Sequence, residues 1–309
     1  MAEMNSLSKR SLDALRQKGP SGFFRQGLLY LLRRVAWRTD EWSKNLDIAI
    51  FSDCLLQEYG PLLKRNEEFR NRHKGRRCFV IGNGPSLKKQ DLSLLADEIT
   101  LVTNSFYVHP IVGDTWQPTY YFLSDPQYFD GSVDLTADYA AMTSQIKSAP
   151  FFVPSYAHKF LSQSKALPAE RTYYVAAGAV RLEHTDELPD FTTVTPGMQS
   201  VVQLAIMAGM FMGCSQIYLM GLDHDWLSHG GEELHFYSEH EAAAQPDGHV
   251  GPWTYLSLMR ALTTMWEVYV TLQKVGEAAD IEIINCTHGG FLDVFRRARY
   301  EDVVGRLDR

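Results

Sequence analysis

The residues best suited to chemistry stand where short apolar runs stop. Cys78-Phe79-Val80-Ile81 leads into Gly82-Asn83-Gly84-Pro85-Ser86-Leu87, and a strand ending in such a turn can aim several N–H groups at one point. A helix after the turn would add its N-terminal partial positive charge. That combination suits an anion, phosphate above all. Gly82 and Gly84 would permit positive φ and close ligand approach, Pro85 sets the exit, and Asn83 and Ser86 offer side-chain hydrogen bonds. The competing reading is an ordinary strand-to-helix turn with Ser86 as N-cap.

Other apolar runs end the same way. Ile99–Thr103 stops at Asn104, Thr119–Leu123 at Ser124-Asp125-Pro126, and Gln216–Met220 at Gly221-Leu222-Asp223-His224-Asp225, with Ile281–Ile284 and Asn285-Cys286-Thr287 a fifth case. In a parallel sheet such ends share one edge, where the ligand crevice of an open α/β fold lies. Asp223 and Asp225 form a D-x-D that can hold Mg²⁺ or Mn²⁺, although Asp223 could equally cap the next turn while Asp225 is solvated. His224 and His235 are candidate general bases, with Asp223 beside them as a candidate catalytic acid group. Asp125 could take ribose hydroxyls or a second-substrate amine, or cap the turn at Pro126.

The glycine turn departs from two common nucleotide fingerprints. Leu87 occupies the sixth position of GxGxxG, and Asn104 stands where a dinucleotide fold would place an acidic residue. GxxxxGK[ST] is absent, with Lys88-Lys89 beyond the turn. A redox dinucleotide and Walker chemistry are thereby disfavoured, leaving a mononucleotide or nucleotide-sugar phosphate as the expected ligand.

Strands alternating with helices must position these groups. Asp91–Leu95 reads as a short helix, Phe151–Val153 and Thr172–Val175 as strands, and Gly197–Gly213 and Trp253–Val275 as long helices, the first apolar all round and so buried against a sheet. The expected fold is α/β and Rossmann-like, a mostly parallel sheet flanked by helices over residues 75–309, with a basic helical region at 1–74. Residues 227–252 form a polar loop holding His229, His235, His240 and His249, long enough to be functional.

The 309 residues are 45% hydrophobic and carry a net charge of −7, yet residues 1–38 hold eight Lys or Arg against Glu3 and Asp13. A basic arm on an acidic body points to an anionic partner for the arm alone, such as a phospholipid surface. Residues 21–37 set Phe23, Phe24, Leu28, Leu31 and Trp37 beside arginines, in the manner of an interfacial helix or of an accessory helix packed on the catalytic domain. Cys54, Cys78, Cys214 and Cys286 are widely spaced and read as reduced thiols. No signal peptide or membrane-length apolar run is evident, so a cytoplasmic location, peripheral on the inner face of the membrane, is expected.

Several ordered strings carry a resemblance: FVIGNGPSLK, the SDP strand end, MGCSQIYLMGLDHDW, the later HF, and INCTHGGFLDVF. Together they resemble the 6-hydroxymethylpterin diphosphokinase MptE-like proteins of bacterial surface-polysaccharide clusters, relatives of the flagellin-modifying Maf proteins, over roughly residues 70–300. The glycine turn and the strand ending in Gly-Leu-Asp are also similar to bacterial sialyltransferases that use CMP-activated sugars. The resemblance implies a Rossmann-like nucleotide domain in which Gly82, Asn83, Gly84 and Ser86 hold a phosphate and Asn104 approaches the nucleotide or donor sugar. His235 would be the catalytic histidine. Asp125 departs from the asparagine of the sialyltransferases, and their Thr-Ser-Gly appears only as Thr195-Pro196-Gly197 or Gln199-Ser200. The implied function is transfer from a nucleotide-sugar, with CMP-sugars favoured, to a glycan or lipid-linked acceptor in polysaccharide biosynthesis, without nucleic acid as partner. The alternatives are an ATP-dependent diphosphokinase and a non-catalytic nucleotide-binding component of the assembly machinery.

Overall fold

The computed structural model describes residues 51–178, 187–226, 228, 235–237 and 254–305. The basic stretch 1–38 lies outside them, as do His229, His240 and His249. The chain divides into two compact units, Met1–Cys54 and Leu55–Arg309. Of the first, the described residues 51–54 are helical, and helix α1 covers residues 51–63.

Among the described residues of the second unit nine strands form one sheet: β1 (Arg77–Ile81), β2 (Ile99–Thr103), β3 (Tyr120–Phe122), β4 (Phe151–Pro154), β5 (Thr172–Ala177), β6 (Val194–Thr195), β7 (Gln216–Met220), β8 (Glu282–Asn285) and β9 (Arg296–Arg297). Their order is β6-β5-β4-β3-β2-β1-β7-β8-β9, and every pairing is parallel. The chain runs outward from β1 to β6, then crosses back to place β7 on the other side of β1. That reversal is a topological switch point, where an open parallel sheet leaves a crevice outside its strand ends. Val80 pairs with Leu101 on one side and Leu219 on the other. The glycine turn and the Gly221–Asp225 turn therefore emerge side by side.

The sheet is apolar on both faces because both are covered. Cys78, Val80, Leu101, Phe122 and Leu219 face α4 (Val201–Phe211) and α5 (Tyr255–Ala278). Phe79, Ile81, Val102, Tyr121 and Met220 face the opposite layer, where α2 (Thr136–Gln145), α3 (His158–Ser164) and α6 (Tyr300–Val304) supply Met142, Leu161 and Val303. All eleven residues of α4 are buried, which accounts for a helix apolar all round. Each fully buried Leu, Ile or Phe contributes about 1.5–3 kcal/mol.

Three differences from expectation bear on the site. After Gly84 there is only a five-residue 3-10 turn, Pro85–Lys89, so no long helix dipole points at the glycine turn. Residues 55–74 belong to the sheet unit: Leu63, Asn66 and Phe69 are fully buried, and Asn66 Nδ2 donates to Tyr174 O at 2.8 Å and Phe191 O at 2.7 Å. The two-residue strands β6 and β9 had no readable pattern, since a pair of residues shows no periodicity. No helix among the described residues is long and apolar enough to cross a membrane.

Candidate functional site

The end of β1 is bonded to the end of β7. Gly82 N–H donates to Met220 O and Gly84 N–H to Gly221 O, each at 2.9 Å. Ser86 donates from N–H to Asp223 Oδ1 at 3.2 Å and from Oγ to Asp223 Oδ2 at 2.8 Å. Three N–H groups expected to face a phosphate are thus already engaged within the protein. Neither Gly82 nor Gly84 has a positive φ, and the physical reason for glycine is proximity. A Cβ on Gly84 would lie 1.9 Å from Asp223 Oδ2, and one on Gly82 would lie 2.6 Å from Gly221 O. Left-handed backbone occurs instead at Asn104 (φ 47°), Gly221 (φ 64°) and His224 (φ 51°).

Asp223 is buried beneath both neighbouring loops. Burial pushes its carboxyl above the usual range, Ser86 pulls it back, and the charge of Asp225 adds to the rise. On its other side Phe291 N–H donates to Asp223 O at 2.8 Å, and a Cβ on Gly290 would approach that oxygen to 2.5 Å. Thr287 Oγ1 accepts from Leu222 N–H at 3.1 Å. Each carboxylate oxygen of Asp223 accepts one bond from Ser86, so a divalent cation at the D-x-D would share those oxygens with the bonds that close the turn. The described residues contain no group of three or more His, Cys, Asp or Glu that could hold a metal ion.

The end of β2 is different. Asn83 Nδ2 donates to Thr103 O at 3.0 Å, tying the glycine turn to β2, while Asn83 Oδ1 has no partner among the described residues. Asn104 Oδ1 is likewise buried and unpartnered. The carbonyl of Asn104 accepts from the Tyr121 hydroxyl, which itself accepts from Tyr107 N–H at 2.9 Å. Burial raises the Tyr121 phenol well above its usual pKa, so it stays protonated and donates. Gln90 repeats the pattern at β8: Nε2 donates to Cys286 O at 2.8 Å and Oε1 has no partner among the described residues. At the end of β3, Asp125 takes the capping role, accepting from Gln127 N–H at 3.1 Å.

The two candidate histidines diverge. His224 Nε2 lies 2.7 Å from the Tyr269 hydroxyl, with the ring among Trp226, Trp266 and Tyr269. Burial lowers its pKa to about 4, so it is neutral near pH 7 and serves as a packing group directed at α5. His235 instead belongs to a segment laid against the glycine turn: Phe236 N–H donates to Asn83 O at 2.9 Å, and its ring packs on His109 and Phe106. The His235 ring stacks on Tyr237, with centroids 4.8 Å apart. The structure therefore gathers Gly82, Asn83, Gly84, Pro85, Ser86, Asn104, Asp223 and the His235 segment around the β1 end, and turns His224 away. Tyr121, Gln90 and Gly290 were not singled out by sequence. Gly289-Gly290 beside Thr287 was a readable signal; Tyr121, inside an apolar run, carried none.

The protein family described as 6-hydroxymethylpterin diphosphokinase MptE-like matches residues 53–229. No curated protein matches this chain. Among solved structures, the sialyltransferase CstII from Campylobacter jejuni, in complex with cytidine-5'-monophosphate, is 14% identical with a TM-score of 0.43, covering 72% of this chain and 85% of that one. The monofunctional alpha-2,3-sialyltransferase Cst-I from Campylobacter jejuni is 15% identical with a TM-score of 0.44, covering 72% of this chain and 79% of that one.

Proposed function

The chain belongs to the 6-hydroxymethylpterin diphosphokinase MptE-like family, and from that premise we propose that it is a transferase that binds a nucleotide-activated sugar at the β1/β2 mouth and passes the sugar to a hydroxyl acceptor. The observation that carries this reading is the pair of buried amide oxygens, Asn83 Oδ1 and Asn104 Oδ1, without a partner among the described residues. A buried acceptor without a donor costs about 1–3 kcal/mol, and two at neighbouring strand ends call for a ligand rich in donors. A ribose diol and the exocyclic amine of cytosine are such groups, which makes a CMP-sugar the first donor to test. Gly82, Gly84, Pro85 and Ser86 would shape the wall of this site, with Asp223 holding them, while Asp125 caps its own turn nearby.

His235 would accept the proton of the attacking hydroxyl, because its segment is tied to Asn83 through Phe236. Donor entry would require that segment to shift, since both amide oxygens are shielded from solvent. No step is assigned to Mg²⁺ or Mn²⁺, and Asp223 would act through its bonds to Ser86. The acceptor class fitting the sequence is a glycan or lipid-linked precursor of a surface polysaccharide, with the basic stretch 1–38 holding the protein beside an anionic membrane.

The test is transfer or hydrolysis with CMP-, UDP- and GDP-sugars, with EDTA and with added Mg²⁺. CMP release that persists in EDTA is expected, and absence of turnover and binding across the panel would refute the reading. Release of AMP from ATP with a hydroxymethylpterin acceptor would assign pyrophosphate transfer instead, the activity in the family description.

A further inference from the structure

Asn104 combines three features: a left-handed backbone at φ 47°, a buried carbonyl, and a side-chain oxygen with no partner among the described residues. A non-glycine residue in that conformation needs its surroundings to hold it there. Two groups flank it. Asn83 Nδ2 binds the preceding carbonyl, Thr103 O, at 3.0 Å. The Tyr121 hydroxyl donates to Asn104 O and accepts from Tyr107 N–H at 2.9 Å, bridging the first and fourth residues of the 3-10 turn Asn104–Val108.

Tyr121 reaches this point from the next strand, where it pairs with Val102 and is fully buried. Its hydroxyl is thus a single atom spanning both ends of the turn that carries Asn104. The neighbouring tyrosines show a different use of the same group: the Tyr139 hydroxyl donates to Tyr128 O, away from Asn104, and Tyr128 OH lies 3.1 Å from Ser105 Oγ.

We propose that Tyr121 is a positioning residue, its hydroxyl clamping the Asn104 turn so that Asn104 Oδ1 is presented to the ligand at the β1/β2 mouth. The role rests on the nucleotide reading of that mouth, but the clamp itself is a statement about conformation. Removing the hydroxyl leaves Asn104 O and Tyr107 N–H without their shared partner, and the turn can then move to the right-handed conformation that asparagine favours.

The experiment compares wild type with Y121F, N104G, the Y121F/N104G pair and Y139F, by calorimetric titration with CMP and by crystal structures of wild type and Y121F. Glycine at 104 keeps the left-handed backbone open while deleting the amide. Y121F and N104G should each weaken CMP binding about tenfold, the scale of one hydrogen bond. The double variant should bind no more weakly than N104G, and Y139F should bind as wild type does. In Y121F, Asn104 should leave its left-handed conformation. Wild-type affinity with an unmoved Asn104, or losses that add in the double variant, would overturn the clamp. If wild type binds no CMP, the nucleotide reading falls, and the Asn104 conformation in Y121F alone decides: a retained conformer overturns the clamp and a lost one supports it. Should Y121F not fold, 4-fluorophenylalanine at position 121 fills the place of the hydroxyl without its donor, and unchanged affinity and conformation there would count against the proposal.

Discussion

Two junctions border the same crevice and use their polar groups in opposite ways. Between β1 and β7 the donors of Gly82, Gly84 and Ser86 are satisfied internally: Gly82 and Gly84 N–H bond to Met220 O and Gly221 O, and Ser86 closes on Asp223. Between β1 and β2 the amide nitrogen of Asn83 is satisfied, yet the amide oxygens of Asn83 and Asn104 have no partner among the described residues. The first junction builds the wall, and the second leaves chemistry available beside it. A glycine-rich turn can therefore exist for close packing of two strand ends, with recognition falling to the next strand along.

The largest effect that would test this contrast is Gly84→Val. Its Cβ would overlap Asp223 Oδ2 at 1.9 Å, so the expected outcome is loss of folded protein, seen as aggregation or a collapsed Tm. A stable, well-folded variant that merely fails to bind nucleotide would return the turn to the role of a phosphate cradle. Next, Asp223→Ala should cost about 2–3 kcal/mol by denaturant titration, because Ser86 N–H and Oγ lose their buried acceptor. Asp223→Asn, which keeps an acceptor and the shape, should cost much less. Equal losses in the two variants would mean that the carboxylate charge, rather than the hydrogen bonds, closes the junction.

On the open side, Asn104→Gly removes a buried side-chain acceptor and keeps the left-handed backbone open, so it should not lower the free energy of unfolding, while weakening CMP about tenfold. The converse pattern, lost stability with intact affinity, would merge the two junctions into one structural unit. The smallest effect is pH dependence from His224. Its pKa falls from 6.5 to about 4 in the folded chain, so the unfolded chain binds more protons between those values, and stability declines as pH drops from about 6.5 toward 4. His109, also lowered to about 4 by burial, adds to that decline. His224→Asn should flatten the slope of the denaturant midpoint between pH 7 and pH 5, and an unchanged slope would show that His224 remains accessible to protons.

Much of the framework was legible from residue order. Ile99–Thr103 and Gln216–Met220 form strands with the bounds their apolar runs indicate, because strands covered on both faces must be apolar throughout. The long helices were legible too, although α4 starts at Val201, after the capping box of Ser200 and Gln203, rather than at Gly197. The roles of the glycine turn and of Asp223 were less so. Sequence can mark a glycine but not whether its missing Cβ makes room for a ligand, a left-handed φ or another chain segment. In this protein the third applies, and the neighbour responsible, Asp223, is 139 residues away from Gly84 along the chain.

The sequence by itself determined the parallel α/β class, the family, and the set of strand ends that meet at one edge, since all three follow from local composition and order. Only the tertiary structure decided which of those ends close on one another and which keep a free acceptor. That division depends on strand order: β1 lies between β7 and β2, so groups far apart in the chain settle whether each hydrogen-bonding atom is spent or available.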